Sequence, residues 1–356
     1  MKTITLTSDQ KEKIKIYLKP FVKYLEGEQF RKDQEDRKER VAYFQYDLPK
    51  KVNELSETDI DELVVKLWAS QMWGNKQYLV QKVISDNGIE KLRHELKLLL
   101  NTSTSVAARY DRFLTEIKRL GPASLTEMLC YIQPQVCGIW NKKARQALRI
   151  LELDSYVDPD KYRLSAIEYE TFNQVLQAIS EELKVAQFKN VDLLFVDYFL
   201  YEVSQIEPEQ PLKPETLETF DHDEIRDLIQ SIGAMLGFDT DTEIQVGHGA
   251  RVDVVWRARI TNLGLVTYVF EVHKSGNIDS LLLNLQKAKS SPTVQKVIAV
   301  SDESQLEKIK NESEGLPEEF RRAIAFWQVK EVQKVSDNLQ VAMEVINHLG
   351  LVQGAF

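Results

Sequence analysis

Along the first 205 residues, apolar side chains recur every three or four positions, as in IDELVVKLWASQMW (60–73) and YETFNQVLQAISEEL (169–183). That spacing lays one apolar stripe along an α-helix. Thr7 with Gln10, Ser124 with Glu127, and Ser165 with Glu168 have the capping-box spacing, in which two side chains satisfy the amides left free at a helix start. The pattern predicts an almost wholly helical first half, divided into a region 1–100 and a second helical domain 101–205. Pro208, Pro211 and Pro214 in IEPEQPLKPET (206–216) cannot continue a helix and mark an extended linker. Beyond it the period changes. DHDEIRDLIQSIGAMLGF (221–238) reads as a helix that Gly237 ends, and three runs follow with β-branched content or alternation, at 242–247, 250–260 and 265–273. A helix at 277–291, a strand at 294–300, a helix at 303–314, a strand at 323–329 and a helix at 335–350 complete a mixed α/β domain, 217–356.

Composition changes this picture little. The chain has 356 residues, 43% hydrophobic and 28% charged, which suits two or three globular domains. The N-terminal MKTITLTSDQKEKIKIY lacks the apolar core of a signal peptide, and no run approaches the length of a membrane span, so a cytoplasmic protein without membrane association is expected. Cys130 and Cys137 stand alone, which fits a reducing compartment and disfavours a disulfide framework or zinc site. The formal net charge of −9 argues against a generally basic nucleic-acid coat but leaves room for a local basic groove.

Candidate chemistry concentrates in the C-terminal domain. Asp253 interrupts the apolar run RVDVVW, and Glu271 follows VTYVF on the next strand. If 250–260 and 265–273 form a hairpin, the two carboxylates lie near the same end and face each other. Facing carboxylates repel, and a hard divalent cation with oxygen ligands relieves them. The bland reading is that Asp253 pairs with Arg251 or Arg257 and that Glu271 sits at a wet strand end. Alternation places His273 on the face of Glu271 and sends Lys274 to the other, unless the strand ends there. His222, His248 and His348 show no ligand-like spacing, and no chemistry is expected of them.

The order helix, three-stranded meander with Asp253 on the second strand and Glu271 on the third, then helix and strand, resembles the PD-(D/E)XK nuclease superfamily over about residues 219–330. The resemblance implies a restriction-endonuclease-like fold with an α-β-β-β-α-β core. It implies a Mg²⁺- or Mn²⁺-dependent endonuclease acting on nucleic acid, DNA ahead of RNA, in restriction or host defence, and a homodimer, since members are often dimers. By it Asp253 and Glu271 are metal ligands, and Glu224 matches the acidic residue that many members supply from the opening helix. Gln286 falls where some members carry a supporting glutamine. The motif lysine falls on His273, so ExK has become ExH. Three readings stay open: His273 substitutes directly, Lys274 or Lys287 reaches the same space, or the site is inactive. The last makes the domain a degenerate nuclease fold serving as a nucleic-acid-binding or assembly module. Residues 217–356 carry 14 Lys and Arg against 21 Asp and Glu, a balance of −7 that favours this rival.

In the helical half, IWNKKARQALRIL (139–151) spaces Lys142, Arg145 and Arg149 at three and four positions, a basic stripe that would suit a phosphate backbone or simply face solvent. FRKDQEDRKERVAYF (30–44) mixes both signs and reads as an exposed, ion-paired helix. A small-molecule enzyme finds no support, since GxGxxG, Walker and nucleophile-elbow motifs are absent.

Overall fold

The computed structural model describes residues 4–70, 76–205, 220–247, 249–260 and 264–348; the proline-rich linker at 206–216 and His248 lie outside them. The chain divides into two compact units, Met1–Gln71 with Leu79–Glu215, and Met72–Tyr78 with Thr216–Phe356.

The first unit is helical throughout its regular elements, from Ser8–Leu25 to Leu193–Gln205. Two of the three expected capping boxes form, at Thr7/Gln10 and Ser165/Glu168. The third does not. The helix Pro122–Ile132 starts two residues before Ser124, with Gly121 at its N-cap, and Glu127 is buried. Its carboxylate accepts instead from the amides of Trp68 (2.6 Å) and Ala69 (3.0 Å) and from the Tyr131 hydroxyl (2.8 Å). Those bonds also explain why the apolar run from 60 is not one helix. The helix Glu57–Val65 stops, and a short 3₁₀ turn Trp68–Ser70 directs its amides at Glu127. The mixed-charge stretch forms the helix Glu28–Ala42, but it is not purely a solvated face: Arg40 is buried, and Arg37 bonds Asp197 at 2.6 Å. Tyr110 stacked on Tyr169 and Trp140 edge-on to Phe172 lie in the unit's aromatic core.

The second unit has the expected strands and helices in order, with one addition, the short helix Glu318–Ala323 ahead of the last strand. Helix His222–Met235 precedes β1 (Asp239–Val246), β2 (Ala250–Ile260) and β3 (Gly264–Val272); helix Ile278–Lys289 leads to β4 (Val294–Ser301); helices Glu303–Ser313 and Glu318–Ala323 lead to β5 (Ile324–Gln328) and the last helix, Val329–His348. That last helix begins directly after β5, six residues earlier than its apolar period suggests. The sheet order is β1-β2-β3-β4-β5, antiparallel through β3 and parallel from β3 to β5. Helices cover both faces. Ile225, Ile229 and Ile232 pack on Val254, Trp256 and Phe270 on one side, and Leu281, Leu282 and Leu285 on Val252, Val255 and Val269 on the other. Gly237 ends the first helix at φ +86°, as its position predicts. Gly233, in mid-helix, makes room for an indole: a Cβ there would lie 2.4 Å from Trp256 Nε1, which donates to the Ile229 carbonyl at 3.0 Å.

The β2–β3 ladder runs from Ile260↔Gly264 to Val254↔Phe270 and ends there. The next opposed pair is Asp253 and Glu271, so the strands part where the two carboxylates meet.

Candidate functional site

The carboxylates take over the ladder's hydrogen bonds at this fork. Glu271 Oε2 accepts from the Asp253 amide at 3.2 Å, and Asp253 Oδ2 accepts from the Val272 amide at 2.7 Å. Each acid therefore holds the other's strand, and the expectation of two facing carboxylates at one end of a hairpin is met. Neither arginine of the bland reading pairs with Asp253: Arg251 bonds Glu243 at 3.0 Å and Arg257 bonds Asp241 at 2.7 Å.

Both covering helices reach into the fork. From one side, His222 Nε2 lies 3.3 Å from Asp253 Oδ2, and its Nδ1 lies 3.4 Å from Asp223. From the other, Asn284 Nδ2 donates to Glu271 Oε1 at 3.0 Å and to the Arg251 carbonyl at 2.6 Å. The electrostatics follow from this crowding. Burial, and then the charge of Asp253, push the Glu271 carboxyl up to about 7, with Asn284 pulling the other way. Hydrogen bonds to Asp223 and Asp253 raise His222 to about 10, so at neutral pH it is a cation. A cation in the first turn opposes the helix dipole, and the two carboxylates offset that cost.

His222 is the residue of the fork that sequence reasoning missed: its ring meets Asp253, a contact that its spacing from the other histidines did not suggest. The signal was present: 222, 225, 229 and 232 follow the helical period, which puts His222 on the stripe that packs against the sheet. Glu224, expected as a ligand, lies on the same helix, about 200° around it from His222. The amide that meets Glu271 is Asn284, two residues before Gln286 and on another face of the helix.

Glu271, His273, Ser280, Asn284 and Lys287 line an open groove of about 470 Å³ between β3 and the helix Ile278–Lys289. His273 thus shares the side of Glu271, as alternation predicts. It is buried, its amide donates to the Val300 carbonyl at 2.8 Å, and its Nε2 has no partner among the described residues. Burial lowers its pKa, with Asp302 opposing, so the ring is neutral at neutral pH. Lys274 is exposed in a bend beyond the end of β3, and Lys287 stands on the far wall of the groove.

The basic stripe of the helical unit does not form one exposed face. On the helix Lys142–Ile150 only Lys142 is exposed; Arg145 is buried, and Arg149 pairs with Asp160 and donates to the Pro159 carbonyl at 3.2 Å. Trp140, the aromatic beside it, is a core residue whose indole donates to the Tyr162 carbonyl at 3.1 Å.

No protein-family model, curated protein or solved structure matches the chain. Among the described residues, no helix is long and apolar enough to cross a membrane, and no three His, Cys, Asp or Glu side chains converge as a metal cage.

Proposed function

We propose that the C-terminal domain is a metal-dependent nuclease of the restriction-endonuclease-like kind, hydrolysing phosphodiester bonds with Mg²⁺ or Mn²⁺, DNA ahead of RNA. The observation that supports it is the fork itself: two acids on adjacent strands, held by each other's backbone, with Glu271 pushed up to about 7 by burial and by Asp253. Paired acids whose environments drive them apart are a common feature of hydrolytic sites. The donors suit a hard cation that keeps several waters, for which one or two carboxylates suffice. Asp253 and Glu271 would hold it. Bound there, a divalent cation lowers the pKa of a coordinated water and draws charge from the phosphate. Neutral, buried His273 offers a proton acceptor on the same groove, and Lys287 a cation for a neighbouring phosphate.

One observation favours the rival, a binding or assembly module with a degenerate site. His222 already sets a positive charge against Asp253, so the carboxylates have a counter-ion without any metal. Incubation of the purified protein with DNA and RNA in Mg²⁺ or Mn²⁺ separates the two readings. The nuclease reading expects cleavage that Asp253→Asn and Glu271→Gln each reduce by at least about a hundredfold, the order of loss on removing a group that stabilises the transition state. No cleavage by wild type, or undiminished cleavage by both variants, rejects it.

A further inference from the structure

Asp253 sits where the regular geometry of two strands fails together. The β1–β2 register runs unbroken from Asp239↔Arg257 to Val246↔Ala250 except at one position, Glu243 opposite Asp253. Glu243 has φ +52°, and it is the one non-glycine strand residue in the left-handed region among the described residues. The faces exchange at the same point. Ala250 and Val252 pack on the helix Ile278–Lys289 side, whereas Val254 and Trp256 pack on the helix His222–Met235 side. Strict alternation would keep all four together. The break is what turns the Asp253 carboxylate out of the ladder and into the fork.

A left-handed glutamate costs about 1 kcal/mol or more unless its surroundings hold it. Here they do. Glu243 Oε1 lies 3.3 Å from Arg226 Nη1 and Oε2 lies 3.0 Å from Arg251 Nη2. Arg226 also bonds Asp223 at 2.8 Å and Asp227 at 3.0 Å, and is mostly buried. Asp223 in turn meets His222, and His222 meets Asp253. The contacts form a chain of alternating charge, Glu243–Arg226–Asp223–His222–Asp253, whose two ends face each other across β1 and β2.

We infer that Arg226 and Glu243 are positioning residues: they pin the break in β1 to the first helix and, through Asp223 and His222, fix the Asp253 carboxylate in the fork. This deepens the proposed metal-dependent reading of the same site and rests on that reading for its functional meaning. Neither residue touches the fork directly, so each acts through others.

The Val272 amide, which donates to Asp253 Oδ2 at 2.7 Å, reports the carboxylate's position without any metal. Hydrogen exchange of that amide is measured by NMR on the full chain, with the Val269 amide in the middle of β3 as the internal reference. Arg226→Gln and Glu243→Gln are each expected to speed Val272 exchange about tenfold and leave Val269 unchanged, because local opening rather than global unfolding is affected. Glu243 is exposed, so its variant folds even if the Arg226 change does not. Unchanged exchange at Val272 in the folded variants, or an equal rise at Val269, overturns the inference. Calorimetric titration with Mn²⁺ is the second arm. A loss of Mn²⁺ affinity in parallel with the faster Val272 exchange supports the functional role. If wild type binds no Mn²⁺ while Val272 still responds, the positioning stands and the metal reading falls.

Discussion

Glu271→Gln tests the electrostatics of the fork most directly. A carboxyl raised from its ordinary 4.5 to about 7 is favoured in the folded state as the neutral acid. Its contribution is therefore complete below pH 4.5, is lost as pH rises through about 7, and stays lost above. The difference corresponds to at most about 3 kcal/mol of stability removed at pH 8. Glutamine carries no charge and escapes this loss. It has one acceptor oxygen where Glu271 uses two, for the Asp253 amide and for Asn284, so it gives up a hydrogen bond of about 1 kcal/mol. The variant should be about 1–2 kcal/mol more stable than wild type at pH 8 and somewhat less stable at pH 4.5. Urea denaturation followed by tryptophan fluorescence at the two pH values measures both numbers, and taking the difference between proteins cancels most of the other titrations. A variant less stable than wild type at pH 8, or a difference that does not change with pH, refutes the reasoning. A gain in stability coupled to lost cleavage is the pattern of a site held under electrostatic strain for function.

Two further predictions concern a charge at each unit's interior contacts. His222 is raised to about 10 by Asp223 and Asp253, so its stabilisation is complete below its ordinary 6.5 and disappears as pH rises through about 10. His222→Gln should lower the melting temperature at pH 6, and the deficit should close by pH 10.5; a deficit that persists there means the ring acts by packing. Glu127→Ala strips the acceptor from two amides and a hydroxyl in the first unit, and should cost about 3 kcal/mol or more in a denaturant melt. A cost under about 1 kcal/mol would show that water replaces the carboxylate.

The sequence by itself determined the order of the strands in the C-terminal domain, every helix there except Glu318–Ala323, and where its acids fall. A period of two against a period of 3.6 is a local property, so β2 was legible to the residue, at 250–260, and the other strands to within about three. Asp253 and Glu271 were legible because a charge inside an apolar run needs a reason, and hairpin pairing relates two such residues by simple counting. Tertiary structure alone decided which other side chains join them. Glu224 and Gln286 lie near the site in sequence, yet a helix turns about 100° per residue, so two positions separate His222 from Glu224, and Asn284 from Gln286, by more than half a turn. Ser124 and Glu127 had the spacing of a cap, but burial gave Glu127 the amides of a distant turn instead. The basic stripe at Lys142, Arg145 and Arg149 showed which charges share a period, not which would be buried or paired. Least legible was the break at Glu243. Nothing in TEIQVG announces a left-handed residue, because its conformation is held by Arg226 from a helix that ends before β1 begins and by Arg251 from the next strand. Periodicity records what each segment prefers; the fork exists only where four segments meet.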